Sequence, residues 1–222
     1  MPFWEILISD GAEMGITIHA SGKIDSIGDI QLLIDDLKGT AEKRTWTYRV
    51  MHDDFAVRPN ATLTPNKTGG PAAVISGSLG LKGIILNVEP KVEPLAILFD
   101  CKGVLTNMMQ QLSWIADHGQ AARFTFCKTQ FGSIDSHISI IELLDGLKKK
   151  YISDLSVIDE GAYWETRDRR ILAEKRIALG HCLRHVEKVI SSIEVSSGQA
   201  DDAESIATRI EEALLKSEKE EE

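Results

Sequence analysis

The sequence predicts a mixed α/β fold of the α+β kind: a mixed sheet with a C-terminal βαβ unit, helices packed on it, a long C-terminal helix and an acidic helical tail. Three observations carry this. Apolar stripes at helical spacing alternate along the chain with short β-branched or aromatic runs. Residues 123–166 read as strand, polar loop, helix, strand and polar loop, with a further helix beginning at their end. Finally, 43% of the 222 residues are apolar, enough for a proper core.

In chain order, residues 4–8 and 14–19 read as strands. Asp10-Gly11 and Gly15 supply turn chemistry between them, so a β-hairpin is expected. Ser26 stands where it can cap a helix in which Ile27, Ile30, Ile34 and Leu37 form an apolar stripe, with Gly39 as its end. Residues 44–50 alternate as a half-buried strand does. Together these make residues 1–51 an N-terminal hairpin, helix and strand unit. Residues 52–80 have poor periodicity and hold Pro59, Pro65 and Pro71 among several glycines. They read as a loop or linker with a short strand at 72–76, and place a subdomain boundary there. An α/β core is then expected over 81–195. It opens with strands at 81–88 and 95–100, joined by a link short enough for an antiparallel pair. A helix at 106–118 follows, with Met108, Met109, Leu112, Trp114 and Ile115 apolar.

Phe124 and Phe126 mark a strand at 123–127. After a polar loop, Ile134, Ile138, Ile141, Leu144 and Leu147 recur at helical spacing, and Ile140, Leu143 and Tyr151 widen the face as for a helix lying on a sheet. Leu155, Val157 and Ile158 form the next strand. A strand, a covering helix and a strand imply parallel strands and a right-handed crossover. The sheet is thus expected to combine 81–88, 95–100, 123–127 and 155–158. The loops at 128–133 and 159–163 should emerge at one edge, where open α/β sheets hold ligands. Beyond Trp164 comes the long helix, on which Leu179, Cys182, Val186, Val189 and Ile193 keep the 3-4-3-4 spacing of a seam. Ser196-Ser197-Gly198 interrupts it, and residues 196–222 form the tail.

That edge holds the candidate chemistry. Lys128, Thr129, Gln130 and Ser133 precede a helix N-terminus, where free N–H groups and the helix dipole favour a phosphate or carboxylate. The simpler reading is that Ser133 caps the helix. Asp159 and Glu160 are candidates for a general base or for metal ligation. Adjacent residues on a strand point to opposite faces, however, which favours an ordinary acidic turn. His137, early in the helix, is a third catalytic candidate, against a solvated or capping role. Tyr163 and Trp164 make either a recognition platform or the anchor of the next helix. His181 and His185 have metal-pair spacing but no third ligand, so no metal site is expected. Gly77, Gly80 and Gly83 fit neither a phosphate loop nor a dinucleotide fingerprint, so no cofactor is implied.

Lys128-Thr129-Gln130 and the run Asp159-Glu160-Gly161-Ala162-Tyr163-Trp164-Glu165-Thr166 are similar to segments of uncharacterised bacterial proteins. The resemblance implies a bacterial setting and no activity.

Charge and composition exclude several classes. The net charge is −9, and from Asp201 onward nine acidic residues face three basic ones, leaving the body nearly neutral. There is no electrostatic footprint for nucleic acid. The cluster Lys148-Lys149-Lys150 sits at a helix C-terminus, where cations offset the dipole. No apolar run approaches the roughly 20 residues of a membrane span. Three scattered cysteines and the lack of an export signal point to a reducing, cytoplasmic compartment. The expected function is that of a soluble, non-catalytic accessory protein binding a protein partner or small ligand, or self-associating through the long helix and tail. The alternative is a small enzyme acting on a phosphorylated or carboxylated metabolite, with Lys128 as anion contact and Asp159 or Glu160 as base.

Overall fold

The computed structural model describes residues 15–65 and 73–192. Among them are five helices and three antiparallel sheets, a mixed α+β fold. The strands are β1 (Thr17–Ser21), β2 (Thr47–His52), β3 (Thr62–Pro65), β4 (Ala73–Ser76), β5 (Lys82–Asn87), β6 (Leu95–Phe99), β7 (Leu105–Thr106), β8 (Thr125–Lys128) and β9 (Ser156–Asp159). The helices are α1 (Ile30–Lys43), α2 (Met108–Ala116), α3 (Ile134–Lys150), α4 (Tyr163–Thr166) and α5 (Arg169–Ser192). By its contacts the chain divides into a unit ending at Leu172 and a second beginning at Ala173, within α5.

The strands expected to share one sheet belong to two. One has the order β2-β5-β6-β7 and the other β8-β1-β9. β8 and β9 run parallel to each other, as a βαβ unit requires. They are not neighbours, because β1 lies between them and is antiparallel to both, with Ile18 opposite Cys127 on one side and Asp159 on the other. The ladders are therefore antiparallel throughout, where the sequence predicts a mixed sheet. The two sheets adjoin where β8 runs beside β6: Glu93 N donates to Lys128 O (3.0 Å) and Thr125 Oγ1 to Ala96 O (2.6 Å).

β1 is recruited from far away in the chain because its Ile18 and Ala20 are apolar on one face and complete the cover under α3. Its expected hairpin partner, residues 4–8, lies outside the described residues, and both edges of β1 are held by β8 and β9. The described parts of residues 52–80 contribute β3 and β4, paired as a two-stranded ribbon whose side chains are largely exposed.

The core has two layers. Ile30, Leu33, Ile34, Leu37 and Ala41 of α1, with Ile140, Ile141, Leu144 and Leu147 of α3, cover one face of both sheets. Each large side chain among them contributes about 2 kcal/mol through burial. Leu112 of α2, with Ala61, Leu79 and Leu81, covers the opposite face of β5 and β6. Covered on both faces, β6 (Leu-Ala-Ile-Leu-Phe) is buried along its whole length, which is why its sequence is a continuous apolar run rather than an alternation.

Several local expectations change. Gly39 lies inside α1, which continues to Lys43, because no neighbour approaches the glycine and its helix face is open. Ser26 precedes a 3-10 turn at Ile27–Asp29 without a side-chain cap bond. α2 starts at Met108 rather than 106, since Leu105 and Thr106 pair with β6; Asn107 caps it, accepting from Met109 N and Gln110 N. Its inward face holds Gln111, whose amide donates to Leu79 O (2.9 Å), while Met109 faces solvent.

Gly83 sits in β5 with φ +149°, and a Cβ there would lie 2.1 Å from the carbonyl oxygen of Ile97 on β6. Gly83→Ala is therefore expected to cost about 3 kcal/mol or more. The readout is the urea midpoint, and an unchanged midpoint would mean that β5 and β6 are not this closely apposed.

Candidate functional site

The two polar loops meet at the start of β1, as the topology requires. On one side Thr129 N and Thr129 Oγ1 approach the carbonyl oxygen of Ile16, and Gln130 Oε1 accepts from Ile16 N (3.1 Å). On the other, Glu160 N donates to Thr17 O and Glu160 Oε2 accepts from Thr17 N (2.6 Å). The loops grip β1 from both edges.

His137 joins them through the interior. Its Nδ1 lies 2.7 Å from Thr129 Oγ1 and its Nε2 lies 3.1 Å from Asp159 Oδ2. The sequence alone suggests a surface or capping place for His137. The structure buries it completely, because His137 stands three and four residues before Ile140 and Ile141, on the centre of the buried stripe. That spacing is the available signal.

Asp159 is the hub. Its Oδ1 accepts from Gly161 N, and its Oδ2 from Tyr163 N, Trp164 N and His137. Burial alone would raise its pKa. The His137 hydrogen bond and charge, with the backbone N–H groups of Trp164 and Gly161, outweigh that and hold the carboxyl below the usual range. An ionised carboxylate only accepts, so His137 Nε2 carries a proton.

The order Thr–His–Asp is that of a nucleophilic relay. Here Thr129 and His137 are 0% exposed and Asp159 is 6% exposed, so no substrate reaches the hydroxyl. The relay ties β8, α3 and β9 together.

The expected anion site is filled from within. The carboxylate of Glu89, in the turn between β5 and β6, accepts from Ser133 N (2.8 Å) and Ser136 Oγ (2.5 Å) at the first turn of α3. Ser133 Oγ accepts from Ser136 N, the simple capping role. Gly132 lets the loops come this close: a Cβ there would lie 2.2 Å from Val92 Cγ2. Glu89 carries no sequence signal, since its partner is 44 residues away. The Lys128 side chain is exposed, while its backbone bonds Glu93.

Asp159 and Glu160 do point apart: Asp159 into the core, Glu160 to the other face beside His19. Tyr163 and Trp164 pack on the core as anchors, and the Arg167 guanidinium lies over the Trp164 ring. His181 is exposed on α5, whereas the His185 side chain lies outside the described part. Among the described residues no three His, Cys, Asp or Glu side chains form a metal-holding group. The Cys127 thiol is pushed up to about 12, first by burial and then by Glu93, which leaves it unreactive. At the far end of α3, Lys150 pairs with Asp36, and Lys148 Nζ donates to Leu155 O.

No family model matches the chain, and neither the curated proteins nor the solved structures contain a match. No helix among the described residues is long and apolar enough to cross a membrane.

Two predictions test the clamp. His137→Ala strands a buried carboxylate and is expected to cost about 3–5 kcal/mol; a loss under about 1 kcal/mol in chemical unfolding would show the pair to be dispensable. The Asp159 pKa is lowered in the fold, so its contribution to stability is complete above the unfolded value of about 3.9. It is lost as pH falls through the lower folded value. Asp159→Asn should thus be less stable at neutral pH, with a gap to the parent that narrows at acid pH. Parallel unfolding curves across that range would contradict this.

Proposed function

We propose that the chain is a non-catalytic accessory protein that works by binding, with α5 as its associating surface and a second copy of the chain as partner. The supporting observation is the way the polar edge is used. Thr129, Gln130, Ser133, His137 and Asp159 each engage this chain's own backbone or one another. Chemistry there would have to break the bonds that hold β1 in place.

The helix supports the binding half of the reading. Leu179, Cys182 and Val186 follow one another at three- and four-residue spacing, each partly exposed, and Ile177 is 60% exposed. A half-covered apolar seam of this spacing suits a helical neighbour. The Val189 side chain, Ile193 and the acidic tail, which continue the pattern in sequence, lie outside the described residues.

The alternative reading, an enzyme for a phosphorylated or carboxylated metabolite, keeps one point in its favour. Glu160 lies beside half-exposed His19, and Lys128, opposite Thr17 on the same ladder, is exposed.

Light scattering of the full chain is expected to give a mass above that of one copy. Val186→Asp should return it to a single copy without lowering the melting temperature of the body. A full chain that stays monomeric at all concentrations overturns the proposal. So does turnover of such a metabolite that Glu160→Gln abolishes while melting is unchanged.

A further inference from the structure

We infer that the body carries a small-ligand site, unrelated to the polar edge and to α5, that takes a compact carboxylate with an apolar or aromatic body. The site is a cavity of about 200 Å³ where the 3-10 turn and the first turns of α1 lie over the end of β2 and the start of β5. Its floor is Ile30 and Ile34, both buried core residues, and its walls are Ile27 and Phe55. Ile27 is 44% exposed, an apolar side chain left open beside an apolar hollow. The volume is below the roughly 300–1,000 Å³ of drug-sized pockets, which limits the ligand to a small one.

The mouth sets the charge. Lys82 and His52 stand opposite each other in the β2–β5 ladder and both line the opening. The Lys82 ammonium lies 4.5 Å from the centroid of the Phe55 ring, a cation–π contact that holds the charge at the rim. Neither Lys82 nor His52 has a carboxylate within ion-pairing distance among the described residues. Two neighbouring acids are held by backbone donors, Asp53 by Leu81 N and Asp54 by Ala56 N. Asp29, next to the lining residues Gly28 and Ile30, does not itself line the cavity. Gln31 on the near wall donates to Asp35. A cation over an apolar hollow, with no carboxylate among the lining residues, matches a carboxylate head on an apolar body through a charge-assisted hydrogen bond. One ammonium and one imidazole suit a single negative charge better than a double one.

This inference goes beyond the association reading and does not depend on it, since every lining residue precedes Leu172. The test is a backbone-amide NMR titration of the full chain with benzoate and hexanoate, with benzyl alcohol and inorganic phosphate as controls. Saturable shifts are expected for residues 27–34, 52–55 and 82 in the low-millimolar range, as befits so few ligand atoms. Benzyl alcohol should bind about tenfold more weakly, and phosphate should leave residues 27–34 unmoved. Lys82→Gln should weaken benzoate about tenfold with the melting temperature unchanged. Ile27→Glu, at an exposed wall position, should abolish binding by setting a like charge in the mouth. Absent saturation, shifts elsewhere, stronger phosphate binding, or benzoate affinity unaltered in both variants overturns the assignment.

Discussion

The Asp159 carboxylate is the interaction on which the rest of this fold leans. It is buried, and it accepts hydrogen bonds from three backbone N–H groups and from His137. Those bonds form the turn after β9, start α4 and fix α3 against β9. Through His137 they reach Thr129, and through Thr129 the backbone of Ile16. One carboxylate thus sets the relation of two strands, two helices and the entry to β1. Such an arrangement holds only if each member is satisfied, since a buried polar group left alone costs more than the bond it replaces.

The same accounting explains why a promising edge is not an open site. Residue types that suggest catalysis also suit the closing of a sheet end, where strand termini and a helix N-terminus bring unpaired backbone groups together. Here Glu89 meets the first turn of α3, Gln130 and Glu160 take the N–H groups of Ile16 and Thr17, and Asp159 takes those of the 161–164 turn. The dipole that would attract a ligand anion is already met by a carboxylate of the chain.

How much of this is legible in the sequence follows from the range of each interaction. The broad face of α3, the paired 82–87 and 95–99 strands and the common edge of the two loops can be read, because they rest on local periodicity and strand direction. The central place of β1 cannot, since nothing within residues 17–21 names partners at 125–128 and 156–159. β3 leaves no mark either, because an exposed ribbon needs no apolar alternation. His137 is legible in principle, from its position on the stripe of Ile140, Ile141 and Leu144, but a polar residue on an apolar stripe reveals its burial only once its partners are known. Glu89 is not legible at all.

The order in which these pieces close follows from the same ranges. The link from α1 to β2 and the β5–β6 pairing join neighbours in sequence, so their loop-closure entropy is modest. The β8-β1-β9 ladders join residues more than 100 positions apart and cannot be rewarded until the chain between them has collapsed. The clamp of Thr129, His137 and Asp159 sits at that long-range junction and not within either local half. Its polar bonds are directional, where the apolar contacts beneath α3 are not. Burial alone would accept β1 slipped along its neighbours by two residues, which keeps the same side chains on the core face. Any such slip would still carry the Ile16 and Thr17 backbone away from Gln130 and Glu160 together. The buried polar groups therefore contribute to choosing one register as well as to stability, and the chemistry they display in sequence is chemistry of self-recognition.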